Sequence, residues 1–126
     1  MKKTLTALLA ALLCLGLTAC GDTQETGGET AYTVGICQLV QHEALDAATP
    51  GFQDALVEIL GEDAVSFDLQ NAQNDSNTCS VIINSFVSQD VDLILANATP
   101  ALQAAVAGTG EIPILCTSVT EYGAAL

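Results

Sequence analysis

Beyond residue 3 this 126-residue chain contains neither lysine nor arginine. Its two basic side chains, Lys2 and Lys3, open the sequence, all 15 acidic ones come after Cys20, and the formal net charge is −13. A surface without cations has nothing with which to displace counterions from phosphates, so nucleic-acid binding is excluded. Adhesion to anionic lipid headgroups through a basic patch is excluded on the same ground. Any anionic ligand must be held by backbone N–H groups and hydroxyls, which makes helix N-termini the places to look.

Metal spacing is lacking too. There are five cysteines, no CxxC and one histidine, His42, so neither a metal nor another cofactor is expected. Beyond Cys14 and Cys20, the odd set Cys37, Cys79 and Cys116 reads as buried, inert thiols packed as small hydrophobes. No Gly-rich phosphate loop follows the first apolar run, no acidic cluster is accompanied by a lysine, and no nucleophile has an orienting base. An enzyme is therefore not expected. His42, Glu43 and Asp46 make a poor metal set and read as a polar loop, with Asp46 capping a helix or touching a ligand amine.

What is present begins with an address. Residues 5–17 form one apolar run after the two lysines, of signal-peptide length and short of the roughly 20 residues of a transmembrane helix. It ends in "LTAC", which resembles the lipobox of bacterial lipoproteins and implies cleavage before Cys20 and acylation of its thiol. Residues 1–19 are thus expected to be a signal peptide. Residues 20–31, "GDTQETGGETA" and its preceding Cys20, read as a flexible tether that holds residues 32–126 off the extracytoplasmic face of a membrane.

From Thr33 short apolar runs alternate with helical stripes. "TVGICQL" (33–39), "AVSFDLQ" (64–70), "VDLILA" (91–96) and "IPILCTSV" (112–119) predict strands. Phe52, Ala55, Leu56, Ile59 and Leu60 predict a helical face ended by Gly61, with Thr49 as N-cap and Pro50 as first helical residue. Cys79, Ile82, Ile83, Phe86 and Val87 predict a second helix capped by Asp75 or Ser76. Leu102, Ala105 and Val106 predict a third, ended by Gly108 and Gly110. There Thr99 is the expected cap and Pro100 the first helical residue, leaving the N–H groups of Ala101 and Leu102 as donors. "TEYGAAL" could begin a fourth. A β-α-β-α-β-α-β order implies an α/β fold, a parallel sheet flanked by helices, with ligands beyond the carboxyl ends of its strands.

The polar segments at those ends carry a resemblance. "VGICQLVQHEALDAATPGF", "NAQNDSNT", "DLILANATPALQAAV" and "IPILCTSVTEYGAAL", in this order and spacing, resemble substrate-binding lipoproteins of an ABC transporter family, whose members bind aromatic amino acids such as tryptophan and tyrosine. The resemblance implies a flavodoxin-like half of a type I periplasmic-binding-protein fold, with the second lobe absent from this sequence. It implies ligand contacts from Gln38, Leu45 and Asp46 on the first loop, Asn71 and Gln73 on the second, Thr99 and Pro100 on the third, and Thr117, Ser118 and Thr120 on the fourth. A small amino-acid-like solute, an ABC permease and a membrane reached only through the lipid anchor are the partners implied. Glu43 and Glu121-Tyr122 depart from the family's usual Pro and Asp-Pro. The rival readings are a flavodoxin-like signalling or enzyme domain, and a surface lipoprotein without a small-molecule ligand.

Overall fold

Strand and helix alternate along the chain as the apolar pattern predicts. The computed structural model describes residues 32–125, so the expected signal peptide, Cys20 and the tether lie outside the described residues. The order is β1 (Tyr32–Gln38), α1 (Glu43–Leu60), a 3-10 turn (Glu62–Ala64), β2 (Val65–Asn71), α2 (Ser76–Ser88), β3 (Leu93–Asn97), α3 (Thr99–Gly108), β4 (Ile114–Thr117) and a short α4 (Tyr122–Ala125). The strands form one sheet in the order β2-β1-β3-β4, and every neighbouring pair is parallel. Parallel neighbours cannot be joined by a tight hairpin, so each connection carries a helix across a sheet face.

Successive side chains of a strand point to opposite faces, and β1 sorts its residues accordingly. Val34 and Ile36, with Val65 and Leu95, pack under Phe52, Leu56 and Val57 of α1. Cys37, with Ile94 and Ala96, meets Cys79, Ile82, Ile83 and Phe86 of α2 and Ala101, Leu102, Ala104 and Ala105 of α3. Burial of each large apolar side chain contributes roughly 1.5–3 kcal/mol, and this second layer holds most of them. Gly35 admits the Phe86 ring: a Cβ built there would lie 2.6 Å from Phe86 Cδ2.

Several boundaries differ from expectation. Helix α1 begins at Glu43, not at Pro50. His42 is extended and its Nδ1 accepts from the Ala44 N–H at 3.3 Å, while Glu43 and Asp46 supply negative charge to the first turn, where the helix dipole favours it. Pro50 therefore lies inside the helix. Thr49 is not a cap but a buried residue on the sheet-facing side, between Leu45 and Phe52. Ile59 is 76% exposed and Ala55 is exposed too, so the inward stripe drifts to Leu56 and Val57. Val87 and Val106 lie at the rims of their helices, Cys116 is half-buried, and Asp75 caps α2 as expected.

Candidate functional site at the strand ends

The last residues of all four strands lie in one row. Gln38 is in register with Asn71 on one side and Asn97 on the other, and Asn97 with Thr117. Neighbouring strands lie about 4.8 Å apart, so this is a continuous polar rim on an apolar sheet. Each strand ends on an amide or hydroxyl side chain at the same level.

Under the rim runs a buried chain of hydrogen bonds. Asn97 Nδ2 donates to the Leu45 carbonyl at 3.1 Å and to Thr49 Oγ1 at 3.0 Å. The Thr49 hydroxyl donates to Gln38 Oε1 at 2.7 Å, and Gln38 Nε2 donates to Asp46 Oδ1 at 2.6 Å and to the Val40 carbonyl at 3.0 Å. Gln38, Thr49 and Asn97 are all buried, whereas Asp46 reaches solvent in the first turn of α1. Asn97 Oδ1 has no partner among the described residues, and an unsatisfied buried acceptor costs about 1–3 kcal/mol. Pro50 has no N–H to give the Asp46 carbonyl four residues back, so that oxygen loses its ordinary helical donor beside the carboxylate.

Thr99 does not cap α3. The cap position belongs to Ala98, which bonds no side chain to the helix and holds φ 99°, ψ 159°. That region is close to glycine-only and costs about 1–3 kcal/mol. It is held from both sides, because the Ala98 N–H donates to Thr117 O and its carbonyl accepts from Leu102 N. Leu102 is therefore not a free donor. Thr99 and Pro100 are the first two helical residues, and among the described residues the open donors of the turn are the N–H groups of Thr99 and Ala101. The Thr99 hydroxyl instead accepts from the Thr120 N–H at 3.2 Å and lies 3.2 Å from Thr120 Oγ1, tying the fourth loop to the helix start.

The structure thus brings Gln38, Leu45 and Asp46 into one network and Thr99 and Thr120 into another, with Thr117 joining the rim between them. Asn71 Oδ1 accepts from the Gln73 N–H at 2.8 Å, and Gln73 and Ser118 are exposed at φ 52° and 57°. Both turn their loops sharply after a strand. Gln38, Gln41, Asp46, Thr49, Pro50, Gln53, Leu69 and Asn71 line a pocket of about 320 Å³ between α1 and the end of β2. A second pocket, about 390 Å³, lies at the opposite, amino ends of the strands among Tyr32, Val34, Leu56, Leu60, Asp92 and Leu93. It is larger but almost wholly apolar, and the Thr33 N–H already occupies Asp92 Oδ2; chemistry favours the first. Among the described residues no three His, Cys, Asp or Glu side chains gather to hold a metal. Sequence reasoning read Thr49 only as a helix cap and gave Asn97, Gln41 and Gln53 no individual role. For Thr49 the available signal was its place in the stripe Leu45, Thr49, Phe52, Leu56; for Asn97 it was an amide closing a fully buried apolar run.

Comparison with known proteins places this geometry. The model of the ABC transporter substrate binding protein family matches residues 33–126. The chain belongs to that family. It is 39% identical to a tyrosine-binding protein of Clostridioides difficile (strain R20291), over 95% of this chain and 38% of that protein. A ligand-free, open substrate-binding protein with adhesive properties from Clostridium difficile superposes with a TM-score of 0.71 at 46% identity, over 75% of this chain and 32% of that one. An ABC domain in complex with L-Trp from Streptococcus pneumonia does so with a TM-score of 0.70 at 29% identity, again over 75% and 32%. The chain spans about a third of the length of these relatives. The parallel α/β sheet is that of a substrate-binding-protein lobe.

Proposed function

We propose that this chain forms one wall of an amino-acid site in a lipid-anchored solute-binding protein that serves an ABC import system and catalyses no reaction. The ligand is an aromatic amino acid or a similar small amphipathic solute. Its ammonium meets Asp46, and its carboxylate meets the first turn of α3, where the Thr99 and Ala101 N–H groups and a partial positive charge of about +0.5 are offered. Asn71, Gln73, Thr117, Ser118 and Thr120 supply hydrogen bonds around it, and the length of the relatives that this chain does not span supplies the facing wall.

The observation that carries this reading is the polar rim, with a carboxylate at one end and open helix donors at the other, on a chain with no basic side chain after residue 3. A zwitterion suits such a rim, and tyrosine and L-Trp, the ligands of two relatives, are zwitterions. Calorimetric titration with L-tryptophan, tryptamine and indole-3-propionate tests it. Tryptophan should bind more tightly than either analogue, each of which lacks one charged group. Equal affinity for all three would reduce the site to an apolar slot and remove the reading.

A further inference from the structure

Asp46 is held by a hydrogen-bond chain that runs back from the rim into the core. Its Oδ1 is held by Gln38 Nε2 at 2.6 Å, and the orientation of that amide is settled behind it. The Leu45 carbonyl can only accept, so Asn97 must turn its Nδ2 toward α1 and donate to Thr49 Oγ1 as well. The Thr49 hydroxyl, already accepting, sends its proton to Gln38 Oε1. Gln38 then has only Nε2 to present to Asp46 and to the Val40 carbonyl, both acceptors. A flip of either amide would set oxygen against oxygen, so one arrangement survives along the whole chain.

We infer that Thr49, seconded by Asn97, is a positioning residue that fixes Gln38 and thereby commits one Asp46 carboxylate oxygen, leaving the other to a ligand ammonium at the mouth of the α1–β2 pocket. Three observations meet here. Thr49 and Asn97 are 2% and 0% exposed, so their bonds are sheltered from water. Asp46 is the one carboxylate lining a pocket whose other polar groups are the neutral side chains of Gln38, Gln41, Thr49, Gln53 and Asn71. Pro50, inside the helix, has no N–H to give the Asp46 carbonyl. The pocket is thereby selective for a primary ammonium, and pre-set before it arrives.

This rests on the amino-acid reading above, and the test separates the two. Thr49→Val keeps shape and removes the hydroxyl; Thr49→Ser keeps the hydroxyl. In nitrogen-resolved NMR of the ligand-free chain, the Gln38 side-chain amide protons should be protected from solvent exchange in the parent and in Thr49→Ser, and should exchange freely in Thr49→Val. Titration with L-tryptophan should weaken about five- to tenfold in Thr49→Val, as expected for one lost alignment, and recover within about twofold in Thr49→Ser. Binding of indole-3-propionate, which has no ammonium, should weaken less than that of tryptophan in Thr49→Val. Gln38 protons that stay protected in Thr49→Val, or equal losses for tryptophan and indole-3-propionate, would overturn the positioning role. Should tryptophan fail to bind where the facing wall is present, while the Gln38 protons respond as stated, the amino-acid reading falls and the positioning of Asp46 stands. Asp46→Asn, which keeps an acceptor oxygen for Gln38 but carries no charge, should abolish the preference for tryptophan without freeing the Gln38 protons.

Discussion

Thr99 shows how much one hydroxyl can decide. A threonine before a proline at a helix start reads as a cap, yet its hydroxyl accepts from Thr120 and leaves the cap position to a strained alanine. Thr99→Val should therefore cost about 0.5–1.5 kcal/mol, the net worth of one hydrogen bond, and accelerate hydrogen exchange at the Thr120 amide while the amides of α3 keep their protection. Faster exchange throughout α3 would return Thr99 to a cap. The thiols behave by burial. Desolvation pushes Cys37 up to about 12, with Cys79 beside it adding to the rise. Its folded value lies above the ordinary 9.0, so its contribution to stability is complete below about pH 9 and is lost as pH climbs toward 12. In the native protein near neutral pH, Cys116 should react with a thiol reagent first and Cys37 only on unfolding. Fast modification of Cys37 without loss of structure would contradict the packing of β1 against α2.

At the scale of elements, the α2 cap carries a pH dependence. The Asn77 N–H, followed by the Thr78 hydroxyl, holds the Asp75 carboxyl below its usual value. The stabilisation is present above the unfolded-state value of about 3.9 and is lost as pH falls through the lower folded one. Asp75→Asn keeps an acceptor for the cap, so its melting temperature should change less than the parent's between about pH 5 and pH 3; parallel curves would remove the cap from the account. The cores of α2 and α3 and all four strands were legible because their apolar residues recur at helical or strand spacing. The start of α1 was not. Thr49-Pro50 carries the local marks of a helix start, and it is the burial of Thr49 against Gln38 of β1 and Asn97 of β3 that the local marks do not show. The segments that hold Gln38, Asp46 and Thr99 could be read as strand ends. The bond between Thr49 and Asn97 could not be read, because a buried polar pair is defined by what lies across the sheet, not by neighbours in sequence.

For the molecule as a whole, charge and address complement each other. A body without cations has no hold of its own on an anionic membrane, and no helix among the described residues is long and apolar enough to cross one. An anchor at Cys20 would supply what the surface lacks. Labelled fatty acid should enter the parent protein in a bacterial host and not the Cys20→Ser variant, which should remain unprocessed or be released; label in both would place the anchor elsewhere. The central claim is that ligand meets the carboxyl ends of the strands. Residue-resolved NMR of the chain during titration with L-tryptophan tests it most directly. Shifts should concentrate at Gln38, Asp46, Asn71, Thr99, Ala101 and residues 117–120, with Tyr32, Leu60 and Asp92 at the opposite end unmoved. Shifts confined to that opposite, apolar groove, or none at the strand ends under saturating tryptophan, would contradict it.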